Sequence, residues 1–169
     1  MIPMEEIRKH TISLLVSNKP GVLIRIALVF SRRGYNIDSL VVSEANSPEF
    51  SRMTITATGD KKTLLQIIKQ LNKLIDVVHA IDNTDKSIIK RELALVKISC
   101  VPDTRSDLIM LITACNGFTV DIGDKTMSFE ISGPPDKIDA IKKTFEPYGI
   151  LEIVRTGVTL MARGDESTS

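Results

Sequence analysis

Asn18-Lys19-Pro20-Gly21-Val22-Leu23 carries residue types that can hold a small anion. Pro20 restricts its own φ and keeps Lys19 extended. Gly21 has no Cβ, so a ligand or a second backbone can come close. A helix beginning at Val22 points its unpaired N–H groups, and the positive end of its dipole, at this turn. Each such carboxylate contact contributes about 0.3–1 kcal/mol when exposed and up to ~2 kcal/mol when partly buried. Asn18 both donates and accepts hydrogen bonds. Asn36, on the neighbouring element or on a second subunit, offers the same chemistry. Together these groups would read a free amino acid: carboxylate on backbone N–H groups, ammonium on amide oxygens, side chain against a wall of Val22 and Ile37. The same residues also make an ordinary Pro-Gly turn with a helix cap, and spacing alone leaves both readings open.

Other chemistries find few residues to work with. The chain has two histidines, His10 and His79, and two cysteines, Cys100 and Cys115. Neither His has a Cys or a second His at zinc-ligand spacing. Both fall in alternating segments that read as strands, which predicts a surface or strand-edge place for them. The isolated cysteines read as small buried apolar residues in a reducing compartment. No G-x-G-x-x-G, G-x-x-x-x-G-K-[ST] or G-x-S-x-G run occurs. The expectation is therefore no catalytic residue and no metal site: a binding or regulatory module.

The elements that must position the turn follow from periodicity. Ile12, Leu14 and Val16 alternate along a strand over 10–16, and Val22, Ile26, Val29 and Phe30 keep helical spacing over 22–33, closed by Gly34. Strands over 35–44 and 51–58 follow, joined by Asn46-Ser47-Pro48-Glu49. Leu64, Ile67, Ile68, Leu71 and Ile75 mark a helix over 61–74, and a strand covers 76–81. This order is the ferredoxin-like βαββαβ unit. Asn83 to Ser87 reads as a linker, after which the order recurs. A strand runs from Glu92 to Val101 and a helix from Asp103 to Asn116. A hairpin turns at Gly123-Asp124-Lys125, a helix starts at Pro134-Pro135, and the final strand spans 150–156. The fold class is thus α+β, with two ferredoxin-like βαββαβ domains over 1–84 and 85–169, and a frayed polar tail from Gly164. The uncovered sheet face of the first domain is expected to carry Leu15, Leu40, Val42, Val77 and Ile81. A second subunit, in the simplest case a homodimer, or the second domain would cover such a face.

Composition bounds the class. Of 169 residues 43% are hydrophobic and 25% charged, enough apolar surface to exclude a disordered chain. The net charge of +1 argues against a nucleic-acid binder, which needs a basic surplus. No apolar run reaches the ~18 residues that cross a membrane. Met1 to Lys9 lacks a signal-peptide core, so a cytoplasmic chain is expected. Arg32 and Arg33 mark a helix surface open to a partner or simply to solvent.

The "PGVL" turn and the order of elements resemble the ACT domain, a regulatory module that binds amino acids. "LVSNKPGVLIRIALVFSRRGYNIDSLVV", "SRMTITATGD", "KQLNKLIDV", "RELALVKI" and the closing "RTGVTLMARGD" resemble more closely the regulatory small subunit of acetolactate synthase. The likeness is most specific over residues 14–96. It implies an N-terminal ACT domain and a chain without catalysis or cofactor of its own. Such a chain binds and activates a large catalytic subunit, which carries thiamine diphosphate, magnesium and FAD. It also implies feedback inhibition by valine or another branched-chain amino acid, with the effector positions falling on Asn18, Gly21, Val22, Asn36 and Ile37. Lys19-Pro20 stands where some members carry an acid and a small residue. An amino-acid sensor serving a different enzyme or regulator would share the first domain, but not "RELALVKI" or the closing segment.

Overall fold

The computed structural model describes residues 7–168; positions 1–6 and 169 lie outside it, with most of the segment read for targeting signals and the last residue of the tail. Two compact units divide the chain. One runs through Ile89 and takes in the C-terminal residues from Val158, and the other is Lys90–Gly157. The division thus falls a few residues beyond the expected 84, and the C-terminal residues group with the first unit. Side-chain bonding explains both shifts. Asn83, at the head of the expected linker, is buried and donates from Nδ2 to Ser13 Oγ at 2.6 Å. Ser13 Oγ lies 3.4 Å from the Thr168 carbonyl, to which it donates. Thr168 is buried, so the expected frayed tail is tied down near its end.

The first unit comprises β1 (Arg8–Ser17), α1 (Val22–Ser31), β2 (Ile37–Glu44), β3 (Phe50–Gly59), α2 (Lys61–Leu71) and β4 (Val77–Asp82). Its strands lie in the order β2-β3-β1-β4, every pair antiparallel. Nearly all of the second unit is β5 (Ile88–Ser99), α3 (Arg105–Ala114), β6 (Gly117–Ile122), β7 (Thr126–Gly133), α4 (Pro135–Phe145) and β8 (Ile150–Arg155). Its path β6-β7-β5-β8 repeats the same topology. One further strand, β9 (Thr159–Ala162), was not expected from the pattern. The two βαββαβ arrangements are those the periodicity predicts.

Helix ends differ from expectation by two or three residues, for local reasons. α1 stops at Ser31 because Arg32 and Arg33 turn into Gly34, which sits at φ 67°. α2 stops at Leu71 because the Asn72 amide clamps the chain. Its Nδ2 donates to the Ile68 and Ala80 carbonyls, and its Oδ1 accepts from the Ala80 N–H at 2.9 Å. Val22, Ile26 and Phe30 of α1 and Leu64, Ile67 and Leu71 of α2 bury against Ile12, Leu14, Val16, Met53 and Ile55 of the sheet. The second core has the same plan and includes Phe129 and Phe145, whose rings tilt at 43° with centroids 4.7 Å apart.

The register overturns part of the expected open sheet face. Leu40 pairs with Ile55 and Val42 with Met53, so both lie on the helix side. Val77 sits opposite Val16 and is buried in the core. A β-bulge at Leu15/Val16 slips the register there, and a one-residue slip moves a side chain to the other face. Of the five expected residues only Leu15 and Ile81 remain on the outer face. Buried positions there are polar: Thr11, Ser13 and Thr56. One histidine is corrected too, whereas His79 lies half-buried on the edge strand β4, as expected. His10 is fully buried in a central strand, its Nε2 donating to the Gly59 carbonyl at 3.0 Å, rather than at the surface.

Gly59 ends β3 under the ring of Tyr35, where a Cβ would overlap the ring atoms. Tyr35 is buried and donates its hydroxyl to the Asp60 carbonyl. Burial, with the Asp60 charge second, pushes its pKa up to about 12, so it stays a donor at physiological pH. Gly59→Ala is expected to expel the ring and cost about 1–3 kcal/mol, read as a lower urea midpoint of the full chain. An unchanged midpoint would show that the ring relocates freely.

Candidate functional site

Gly21 lies at φ 84°, the left-handed region that favours glycine, and forms the N-cap of α1. No side chain caps this helix. Val22 N–H reaches the Lys19 carbonyl at 3.4 Å, and among the described residues no acceptor takes the Leu23 and Ile24 amides. The turn from Asn18 to Gly21 is exposed, so these donors face solvent. α2 is built otherwise, with Asp60 accepting from the Thr63 N–H at 2.7 Å. That bond lowers the Asp60 pKa. One helix start is thus filled by its own chain and the other is left open.

Asn18 is held against the β2–β3 loop. Its N–H donates to the Glu49 carbonyl at 2.7 Å and its Nδ2 to Pro48 O at 3.0 Å. That leaves Oδ1 as the group able to receive a ligand donor. Val22 is only 2% exposed and faces the core. Its expected role as an apolar wall therefore reduces to its backbone. Asn36 is exposed and Ile37 half-buried. Both line a depression of about 440 Å³ with Ala27, Ser31, Gly34 and Tyr35. Tyr35, anchored at Asp60, fixes this loop.

The structure therefore brings Asn18, Gly21 and Val22 together at the start of α1, and Asn36 with Ile37 beyond its other end. Ten helical residues rise about 15 Å. One α-amino acid cannot span that gap, so within a single chain the two halves do not form one site.

Arg25 is a residue that pattern reading missed. A Cβ on Gly21 would lie 3.4 Å from its Nη1, so the guanidinium stands beside the turn. Asp76 pairs with it at 2.6 Å. The available signal was a cation four residues after the N-cap glycine, one helical turn away.

A βαββαβ unit with a 2-3-1-4 sheet defines the ferredoxin-like class, and its open, glycine-started helix is consistent with a regulatory module of the ACT type. Comparison with known proteins narrows it. The AHAS small subunit-like ACT domain matches residues 12–79, and the family described as small subunit of acetolactate synthase matches residues 91–164. An acetolactate synthase small subunit of Mycolicibacterium smegmatis is 41% identical over 155 residues, covering 92% of this chain and 91% of that one. A probable acetolactate synthase small subunit of Methanothermobacter thermautotrophicus is 44% identical over 168 residues, covering 99% of both. The crystal structure of the Thermotoga maritima small subunit superposes with a TM-score of 0.83 at 35% identity, over 94% of this chain and 99% of that one. The chain belongs to the acetolactate synthase small-subunit family. It is a non-catalytic regulatory subunit, with the chemistry in the large subunit. The match over the second half sets aside a sensor for an unrelated enzyme. No helix among the described residues is long and apolar enough to cross a membrane.

Proposed function

We propose that a homodimer of this chain binds valine or another branched-chain amino acid between its protomers and thereby inhibits the large subunit that it otherwise activates. The observation carrying this reading is the uncapped start of α1 at Gly21, set a helix length from Asn36. The effector carboxylate takes the Leu23 and Ile24 amides beside Arg25. Its ammonium takes the Oδ1 atoms of Asn18 and of Asn36 of the partner subunit, and its side chain lies against the partner's Ile37. Each protomer supplies one half, and two-fold symmetry makes two such sites. The effector then favours the dimer geometry in which the halves meet, and it shifts that equilibrium only by its differential affinity. A coupling of about 1–3 kcal/mol gives roughly 5–150-fold regulation.

The same reading leaves thiamine diphosphate, magnesium and FAD to the large subunit. Both cysteines are free, in keeping with a cytoplasmic protein. Acetolactate formation by the large subunit tests it. Adding this chain should raise the rate, and valine, leucine or isoleucine should then lower it. A rate indifferent to all three in the presence of the chain would refute effector inhibition.

A further inference from the structure

The helix layer of the first unit carries a charge pattern that the rest of the chain does not. Neither α1 nor α2 contains an Asp or Glu. Arg32 and Arg33 follow α1, and Lys62, Lys69 and Lys73 lie on α2 and the turn after it, all five exposed. At 100° per residue Lys62, Gln66, Lys69 and Lys73 stack into one ridge, opposite the buried Leu64, Ile67 and Leu71. Arg33 rests on Gln66, so the two helix ends join into one surface. A cleft of about 530 Å³ lies between them, with Val29 and Gln70 in its wall. Among the described residues none of the five cations is in an ion pair. The acids that flank α2 in the sequence are engaged elsewhere, Asp60 with the Thr63 N–H and Asp76 with Arg25.

A merely solvated helix mixes its signs, since opposite charges at i, i+4 stabilise and like charges repel. α4 is of that kind, with Asp136 and Asp139 among Lys137, Lys142 and Lys143. The whole chain is nearly neutral, so the basic surface is local. Leu65 and Leu28, each close to half exposed, flank it. Cations, amides and leucines without an aromatic stacking platform fit a protein surface better than a nucleic acid. We propose that this face docks an acidic surface of the large catalytic subunit. The proposal rests on the association with that subunit, and not on the effector site.

The test uses the full-length chain with Lys62→Glu, Lys69→Glu and Lys73→Glu combined, titrated against the purified large subunit at several salt concentrations. Half-activation by the unaltered chain should need more protein as salt rises. The reversed variant should need roughly 10–100-fold more, with a flatter salt dependence. Replacing the same three lysines with Gln only removes charge and should fall between, which covers a folding failure of the first variant. As a control, Lys142→Glu with Lys143→Glu on α4 should leave the titration unchanged. Calorimetry with valine on the isolated variants reads the effector site separately. Half-activation unchanged in the Gln variant, or unaffected by salt in the unaltered chain, would overturn the proposal. So would reversal that abolishes binding to a single-stranded oligonucleotide while sparing the large subunit.

Discussion

Gly21→Asp is expected to abolish inhibition by branched-chain amino acids while leaving activation of the large subunit in place. The new carboxylate points from the N-cap toward the amides that receive the effector's carboxylate. Two like charges about 4 Å apart, at the effective dielectric of a protein surface, oppose each other by up to ~4 kcal/mol. Arg25, whose Nη1 would stand 3.4 Å from the new Cβ, partly neutralises it. Effector affinity should therefore fall roughly 10–1,000-fold. Asp tolerates the left-handed backbone better than most residues, and the strain of about 1–2 kcal/mol leaves the fold standing. Gly21→Asn imposes nearly the same strain without the charge and should keep most of the inhibition. If Asp and Asn act alike, repulsion is not the cause. If the Asp variant stays fully sensitive to valine, the effector does not bind at this helix start.

A second large effect is expected from mixing two inactive variants. Gly21→Asp and Asn36→Ala should each bind effector poorly, because each removes one half of both sites. In a mixed dimer one site carries both lesions and the other carries none. After subunit exchange, calorimetry with valine should recover near-normal affinity at about a quarter of the original number of sites, since half of the dimers are mixed. Recovery requires that the two halves come from different chains. A mixture that binds no better than its components would place the whole site within one protomer, against the 15 Å or so that separates its ends.

The candidate site was largely legible in the residues because its parts are local. A proline-glycine turn followed by an apolar helical repeat marks an N-terminus whatever lies around it, and Gly21 indeed adopts the conformation that glycine alone takes freely. The spacing of Leu64, Ile67 and Leu71 marks α2 and its buried face in the same way. The separation of Gly21 from Asn36 is the length of α1, itself readable from its period. Where a residue's role is set by a distant partner, pattern reading failed. The spacing offers Val22 as a ligand wall, yet the core claims its side chain. Arg25 carries no local signal of that strength, because its place beside Gly21 depends on how its side chain lies, held by Asp76 from beyond α2.

The order of elements, the recurrence of βαββαβ and the turn that starts α1 were determined by the residues alone, since each is an interaction among near neighbours along the chain. The facing of Leu40, Val42 and Val77 was decided only by tertiary structure. Leu40-Val41-Val42 has no alternation to show which side is inward, and the bulge at Val78 of β4 that turns Val77 to the core exists only once β4 is paired with β1. The burial of His10 and the tie between Ser13 and Thr168 are of the same kind. Those groups lie far apart in sequence, so only the packed chain brings them within bonding distance.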